Sequence, residues 1–294
     1  MVADIATGRP AAAIGPAGSL APMARGRTET LLVTRWSADG ARREPDDLIV
    51  EEPLSIRLDD HLVATTMRTP GHDYELAAGF CFTEGLLGDA PVEQVRYCAT
   101  GGALETAYNV VTVGTGGLAP VPASRLTVTT SSCGLCGAEA LDALAARLAP
   151  LGPEGRYDYS PEELARLVDR TGGEGVAQPL FDATGAAHAA VAFDEGGRAL
   201  VVREDVGRHN AVDKVIGRLL FDGCLPARDL VLVVTSRASF EIVQKAWAAG
   251  FSAVVSVSGA TALAVSTARR AGLTLAGFAR PGRLNIYAPE RVDR

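Results

Sequence analysis

The sequence predicts an α/β chain in two parts, a smaller β-rich α+β part followed by a larger layered part with parallel strands. Three observations carry this. Residues 230–234, 253–257 and 273–278 are almost continuously apolar, the pattern of strands buried on both faces. Between them, 240–249 and 262–271 read as helices, each stopped by a glycine at Gly250 or Gly272. Before Pro120 and Pro122 the rhythm is different, with short extended runs separated by Gly, Pro and Asp turns.

Taken in order, residues 1–27 are rich in Ala, Gly and Pro. The run 11–24 is broken by Gly15, Pro16, Gly18 and Pro22, too interrupted for a signal-peptide core and too short for a membrane span, so a flexible tail is expected. Residues 31–36 read as a first strand, followed by a charged loop through Asp47. Residues 49–58, the turn Asp59-Asp60 and 62–69 read as a hairpin, ended by Pro70-Gly71. A short helix through Leu76, Ala77, Phe80 and Cys81 closes near Gly85 or Gly88, and 92–99 and 108–113 are further extended runs. The boundary between a part spanning 28–123 and one spanning 124–294 is expected at the proline loop.

In the second part, Ser160-Pro161-Glu162-Glu163 opens a helix with a serine cap, proline at the first helical position and glutamate at the third. A hairpin is expected from 188–193 and 199–203 around Asp194-Glu195-Gly196-Gly197, then a helix over 211–221 stopped at Asp222-Gly223. The strand–helix alternation described above follows.

Composition excludes several classes. With 294 residues, 47% apolar and 21% charged, the chain is an ordinary globular one with room for a sizeable core. A net charge of −7 argues against a generic nucleic-acid binder, so any anionic ligand needs a local arginine cluster or a helix N-terminus. Five cysteines, only two of them close together, do not make a secreted disulfide scaffold, and a reducing cytoplasm is expected.

That close pair lies in Ser131-Ser132-Cys133-Gly134-Leu135-Cys136-Gly137. The alternating 127–130 precedes it, and the helical stripe Leu141, Leu144, Ala145, Leu148 follows. Thiols on a turn that opens a helix meet free backbone N–H groups and the positive end of the dipole, which favour a thiolate. A structural zinc site would need two more soft ligands, and Cys81, Cys98 and Cys224 are scattered, each expected as a buried or half-buried thiol. A thioredoxin-like redox pair usually comes early in its domain, not after more than a hundred residues of other structure. A zinc deaminase fits the strand–CxxC–helix layout, but Ser132 replaces its proline and no H-x-E exists after His61, His72, His188 or His209. No metal site is therefore expected. Sulfur transfer suits the thiolate and neighbouring thiol that remain.

Two other stretches carry ligand chemistry. Arg203-Glu204-Asp205-Val206-Gly207-Arg208-His209-Asn210-Ala211-Val212-Asp213-Lys214 crowds cations at a strand-to-helix turn, against the plainer reading of a solvated helix face. Phe278-Ala279-Arg280-Pro281-Gly282-Arg283 sets two arginines beside an aromatic, with Tyr287 beyond; arginine forks suit phosphate and an aromatic suits a planar ring, against the plainer reading of an exposed turn. Arg237 ends a buried strand, where α/β sheets bind ligands. His188 reads as a strand residue and His72 as part of an exposed turn.

With these motifs in view, the chain resembles the FdhD/NarQ family of formate dehydrogenase accessory sulfurtransferases. The matching pieces are EEPLSIRL at Glu51, TMRTPGHDYELAAGF at Thr66, FTEG at Phe82, SSCGLCG at Ser131 and TGAAHAA at Thr184. They continue with REDVGRHNAVDK at Arg203, SFEIVQKA at Ser239 and GLTLAGFARPGRLNIY at Gly272, in family order over nearly all of 28–288. The resemblance implies a main domain like the cytidine deaminase fold, layered α/β/α but without zinc. It implies that sulfur passes from a cysteine desulfurase to the molybdenum bis(molybdopterin guanine dinucleotide) cofactor that formate dehydrogenase needs. Cys133 would then bear the persulfide with Cys136 as its partner. Phe278, Ala279, Arg280, Pro281, Gly282 and Arg283 would bind the cofactor, joined by Arg208, His209, Lys214 and Arg237 at its phosphates. A homodimer is compatible with so bulky a cargo; no nucleic acid or membrane partner is expected. The alternative is a cofactor-binding chaperone whose CxxC is structural or redox. Cys81, where an aliphatic residue is more usual, and the proline-free Ser258-Gly259-Ala260-Thr261 depart from the family pattern and bear on local geometry.

Overall fold

The computed structural model describes residues 26–97, 108–122, 142, 144–152, 158–171, 175–289 and 292. The expectations for the N-terminal tail, for Cys98, for Cys133 and Cys136 and for the part boundary at 123–124 fall wholly or partly outside these residues.

The apolar runs of the second half build a six-stranded sheet of order β12-β11-β10-β9-β7-β8. Its strands are β7 (His188–Phe193), β8 (Ala199–Asp205), β9 (Val231–Val234), β10 (Ala253–Ser256), β11 (Thr274–Arg280) and β12 (Arg283–Ala288). β9, β10 and β11 are parallel, while β7 opposes both β8 and β9 and β12 opposes β11. Alternate residues feed two cores, as a strand's two-residue period requires. Ala190, Leu232, Val234, Val254 and Leu275 pack with Val212, Val215, Ile216, Ile242, Trp247 and Ala268. Those partners come from α4 (Arg208–Phe221), α5 (Phe240–Ala249) and α6 (Ala262–Ala271). Val191, Phe193, Val231, Val233, Val255 and Ala276 pack the other way, on Leu164 and Leu167 of α2 (Pro161–Asp169). The expected capping box is formed: Glu163 N donates to Ser160 Oγ at 3.1 Å and Ser160 N to Glu163 Oε2 at 2.7 Å.

The first half holds a four-stranded sheet of order β4-β3-β6-β5, from β3 (Glu52–Leu58), β4 (His61–Arg68), β5 (Gln94–Tyr97) and β6 (Val110–Gly114). Leu54, Ile56, Leu58, Val111 and Val113 pack against Leu76, Ala77 and Cys81 of α1 (Asp73–Thr83). The opposite side of α1 meets α4 at two glycines. A Cβ on Gly79 would collide with the Asp213 carbonyl, and one on Gly217 with the Glu75 carbonyl, so the two backbones touch.

Three expectations need correction, and one element was missed. The charged stretch through Asp47 is not a loop but β2 (Gly40–Ile49), paired antiparallel with β1 (Thr28–Ser37). It is exposed along most of its length, so it lacks the apolar alternation by which a strand is recognised. The helix expected over 211–221 begins at Arg208, because Gly207 is its cap. Residues 283–288, read as part of a turn, pair with β11 as an edge strand. The short α3 (Pro179–Thr184) was not foreseen; the Glu204 carboxylate of β8 accepts from Leu180 N at 3.0 Å and Phe181 N at 2.8 Å and so caps it.

Candidate functional site

Three parallel strands end along one edge of the six-stranded sheet, and such carboxyl edges are where α/β sheets bind ligands. Because β7 runs against β9, its first residue, His188, comes to the same edge, paired with Asp205 at the end of β8. The helices α4, α5 and α6 begin there as well. The caps of α4 and α5, Gly207 and Ser239, give their first turns no side-chain hydrogen bond, whereas Thr261 accepts from Ala264 N at the start of α6. Free N–H groups at a helix start favour an anion, and at α5 the Glu241 carboxylate already takes that place, accepting its own N–H. His209 joins the first two starts, with Nε2 3.5 Å from Ser239 Oγ and 3.9 Å from Glu241 Oε2.

The loops behind this edge are stapled. Buried Ser256 donates to the Ser236 carbonyl at 2.6 Å, and Ala238 N donates to the Gly259 carbonyl at 3.1 Å. Phe278 N donates to Ser258 O at 2.9 Å. At Phe278 β11 bulges: the register shifts between Gly277 and Arg280, and Phe278 takes φ 50°, a region that side-chain-bearing residues rarely occupy. Phe278 as a residue is 53% exposed despite its size. Backbone strain that leaves an aromatic facing solvent at a ligand edge motivates a functional reading.

The ten residues expected to bind the cofactor divide into groups. Arg237, Arg208, His209, Phe278 and Arg280 all reach the carboxyl edge. Arg237 and Arg280 are exposed, and Arg280 Nη1 donates to Val257 O at 2.6 Å, which anchors its guanidinium beside the end of β10. Arg208 Nε is buried and finds no acceptor among the described residues, an orphaned donor that an anion would satisfy. Ala279 is wholly buried under the bulge, so its side chain packs in the core. Pro281 and Gly282 form the exposed turn beyond Arg280, and Arg283, also exposed, opens β12 opposite it. Gly282 and Arg283 also face a groove of about 650 Å³ lined by Glu162, Arg166 and Asp169 of α2.

Lys214 is the correction. It is 0% exposed, its Nζ lies 2.6 Å from Asp205 Oδ2 and it donates to Thr69 O at 3.0 Å. No phosphate can reach it. Cys224, expected buried or half-buried, is exposed, while Cys81 is fully buried and burial pushes its thiol well above the ordinary range. The turn after β4 is less open than expected: Thr69, Pro70 and Asp73 are buried, Gly71 is half-buried and His72 is exposed.

What sequence reasoning missed is the ionic frame beneath the edge. Asp205 accepts from Gly207 N at 2.7 Å, Asn210 Nδ2 at 3.0 Å and Thr69 N at 3.2 Å, besides pairing with Lys214. Arg203 grips Glu75 of α1 through two nitrogens. Lys245 of α5 lies 2.9 Å from Asp213 Oδ2 and 3.1 Å from Glu84 Oε1, and takes in Thr83 Oγ1 at 3.0 Å. Burial opposes the Lys245 charge, but Asp213 and Glu84 outweigh it and hold the amine above its ordinary range. Among the described residues no cluster of three His, Cys, Asp or Glu could hold a metal ion.

This frame makes the edge sensitive to acid. Burial, aided by the charges of Arg208 and Lys245, pushes the His209 imidazole down to about 4. The unfolded ring titrates near its ordinary value of about 6.5, so the folded state binds fewer protons between the two values. Stability should be complete above the upper value and fall as pH drops toward the lower one, this ring accounting for roughly 1–2 kcal/mol because it is partly solvated. Urea unfolding across that window should show a shallower loss for His209→Gln than for the unaltered chain; parallel curves would refute it.

Comparison with known proteins bears on what this edge serves. Residues 49–293 match the model of the FdhD/NarQ family. The chain is 46% identical over 270 residues to the sulfur carrier protein FdhD of Streptomyces avermitilis, covering 90% of this chain and 94% of that one. It is 42% identical over 280 residues to the protein of the same name in Mycobacterium tuberculosis, covering 89% and 96%. The fold is shared with a putative formate dehydrogenase accessory protein from Desulfotalea psychrophila, with a TM-score of 0.68 and 23% identity over 91% of this chain and 100% of that one.

Proposed function

The chain belongs to the FdhD/NarQ family, and from that premise we propose that it is a cytoplasmic sulfurtransferase that carries sulfur to the molybdenum bis(molybdopterin guanine dinucleotide) required by formate dehydrogenase. The observation that carries this reading is the convergence at one sheet edge of an exposed aromatic, Phe278, with Arg208, Arg237 and Arg280 and the start of α4, whose cap has no side chain. Such a set suits a ligand with both planar rings and phosphates. Cys133 and Cys136, in the sequence that the family model spans, supply the sulfur chemistry.

In this reading a cysteine desulfurase presents a persulfide. The Cys133 thiolate attacks its outer sulfur, a new S–S bond forms to Cys133, and the donor cysteine leaves as thiolate. Delivery breaks that bond: Cys133 leaves as thiolate and the reduced metal of the cargo supplies the electron pair that turns the sulfur into sulfide. Cys136 assists acceptance or resolves a stalled persulfide: its thiolate attacks the Cys133 sulfur, the Cys133–Cys136 disulfide forms and the outer sulfur leaves as hydrosulfide. The order β8-β7-β9-β10-β11, with a leading hairpin and three parallel strands, supports reading the larger part as deaminase-like in its layering and zinc-free, with the β-rich part as a second domain.

The test is intact-mass spectrometry after incubation with a cysteine desulfurase and cysteine. The unaltered chain should gain one sulfur atom and Cys133→Ala none; equal loading of both would sink the assignment. If a Cys133→Ala/Cys136→Ala chain still activates formate dehydrogenase, the chain is instead a cofactor-binding chaperone with a structural or redox CxxC.

A further inference from the structure

We propose that the outer face of the four-stranded sheet binds a phosphate group, in a row made by Arg57 of β3, Thr112 of β6 and Arg96 of β5. The register sets the row. Arg57 stands beside Thr112 across the parallel β3–β6 pair, and Thr112 stands opposite Arg96 across the antiparallel β5–β6 pair. The residues next to them along β3 and β6, Ile56, Leu58, Val111 and Val113, are buried against α1. By the two-residue period of a strand, Arg57, Thr112 and Arg96 therefore share the face turned away from that helix. Cross-strand neighbours stand roughly 5 Å apart, close enough to converge on one small ion.

Two buried donors mark this row as a site rather than a solvated surface. Thr112 is only 4% exposed, and its hydroxyl has no hydrogen-bond partner among the described residues. On the adjoining strand the Nε of Arg57 is buried and likewise lacks an acceptor, while its Nη2 is tied to the Asp60 carbonyl. A buried polar group left unpaired is destabilising, so two of them on neighbouring strands call for a shared partner. Elsewhere this face satisfies itself: Ser55 Oγ and Thr65 Oγ1 lie 3.3 Å apart. Among the described residues no carboxylate pairs with Arg57 or Arg96. Asp59 of the adjoining turn is engaged instead by Thr115, through N at 2.8 Å and Oγ1 at 2.6 Å. A water molecule would answer the hydroxyl but not the two positive charges. A tetrahedral oxyanion answers both, accepting from the hydroxyl and from two guanidinium groups. The row lies on a different sheet from the carboxyl edge, so it is a second anion site.

Calorimetry and thermal unfolding of the full chain with inorganic phosphate test this. Thr112→Val keeps the shape and removes the hydroxyl. In phosphate-free buffer it should raise the melting temperature by about 2–3 °C, because an unpaired buried group is gone. With phosphate it should bind about tenfold more weakly or worse, the usual worth of a hydrogen bond to a charged group. Arg57→Gln/Arg96→Gln should remove one bound phosphate, whereas Arg208→Gln, at the other sheet, should leave that one in place. GDP titrated into the Arg208→Gln chain separates the sources. Binding that the two further arginine changes abolish means that the row takes a phosphate ester, and binding of inorganic phosphate alone means a free ion. Phosphate bound alike by the unaltered chain and Arg57→Gln/Arg96→Gln, or by neither, would overturn the site. So would a Thr112→Val chain that binds phosphate as tightly as the unaltered one, or that melts lower without phosphate, since the hydroxyl would then be paired already.

Discussion

Asp205→Ala should lower the unfolding free energy by about 3–5 kcal/mol, the usual consequence of leaving one half of a buried ion pair without its partner. Asp205 and Lys214 are both 0% exposed, with 2.6 Å between Oδ2 and Nζ. Removing the carboxylate strands the Lys214 ammonium, because its other recorded partner is the Thr69 carbonyl, which carries no charge. It also strips acceptors from Gly207 N, Asn210 Nδ2 and Thr69 N, each a polar group held at an element junction. Asp205→Asn, which keeps the shape and one acceptor, should cost less. Lys214→Met combined with Asp205→Asn should cost less than the sum of the two single changes, since neither then leaves a bare buried charge. Equilibrium urea unfolding measures all four. A loss below about 1 kcal/mol for Asp205→Ala would show that water reaches the pair and that the frame is not dry. The effect should extend to binding, because Asp205 sets the first turn of α4, on which Arg208 and His209 stand.

Much of this frame is legible in α4 once its pattern is split in two. Val212, Val215, Ile216 and Leu219 make the apolar stripe that lies on the sheet. Asn210, Asp213, Lys214 and Gly217 form a second stripe at helical spacing, and all four are buried. Cations crowded at a helix start read as a phosphate site, and that reading hid the buried pairing of Lys214. Its partners could not be named from sequence, because Thr69 and Asp205 are brought to it by the packing of distant elements. The same limit explains β2, whose pairing is dictated by β1 and a tight turn rather than by its own composition. By contrast the parallel core strands and the capped helices α2, α5 and α6 were readable, since continuous apolar runs, a capping box and terminal glycines are local signals. The place of Arg237 at the end of a buried strand was readable as a ligand position, whereas its sharing an edge with Phe278 and Arg280 comes from the parallel pairing of β9, β10 and β11. The strain at Phe278 was not readable, because a bulge depends on how β12 pairs with β11.

Gly217→Ala, with Gly79→Ala as its counterpart, should cost about 3 kcal/mol or more, at the upper end of what overpacking normally does. In an exposed helix the same change would stabilise, since alanine is the better helix former by about 1 kcal/mol. The sign reverses here because the new methyl has nowhere to go. On Gly217 it would enter the Glu75 backbone, and on Gly79 the carbonyl of Asp213 and the amide of Gly217. Backbone cannot rotate aside as a side chain can, so the helices must separate. Separation stretches the Thr83 Oγ1 to Asp213 bond that spans them at 2.9 Å, and pulls α1 away from its partners on β8 and α5, Arg203 to Glu75 and Lys245 to Glu84 at 3.1 Å. Thermal and urea unfolding give the magnitude. Hydrogen exchange locates it, with protection lost first along α1 and the start of α4. Because Arg208 and His209 open α4, GDP affinity should fall in the same variants, whereas a Gly217→Ala chain as stable as the unaltered one would mean that α1 and α4 do not touch.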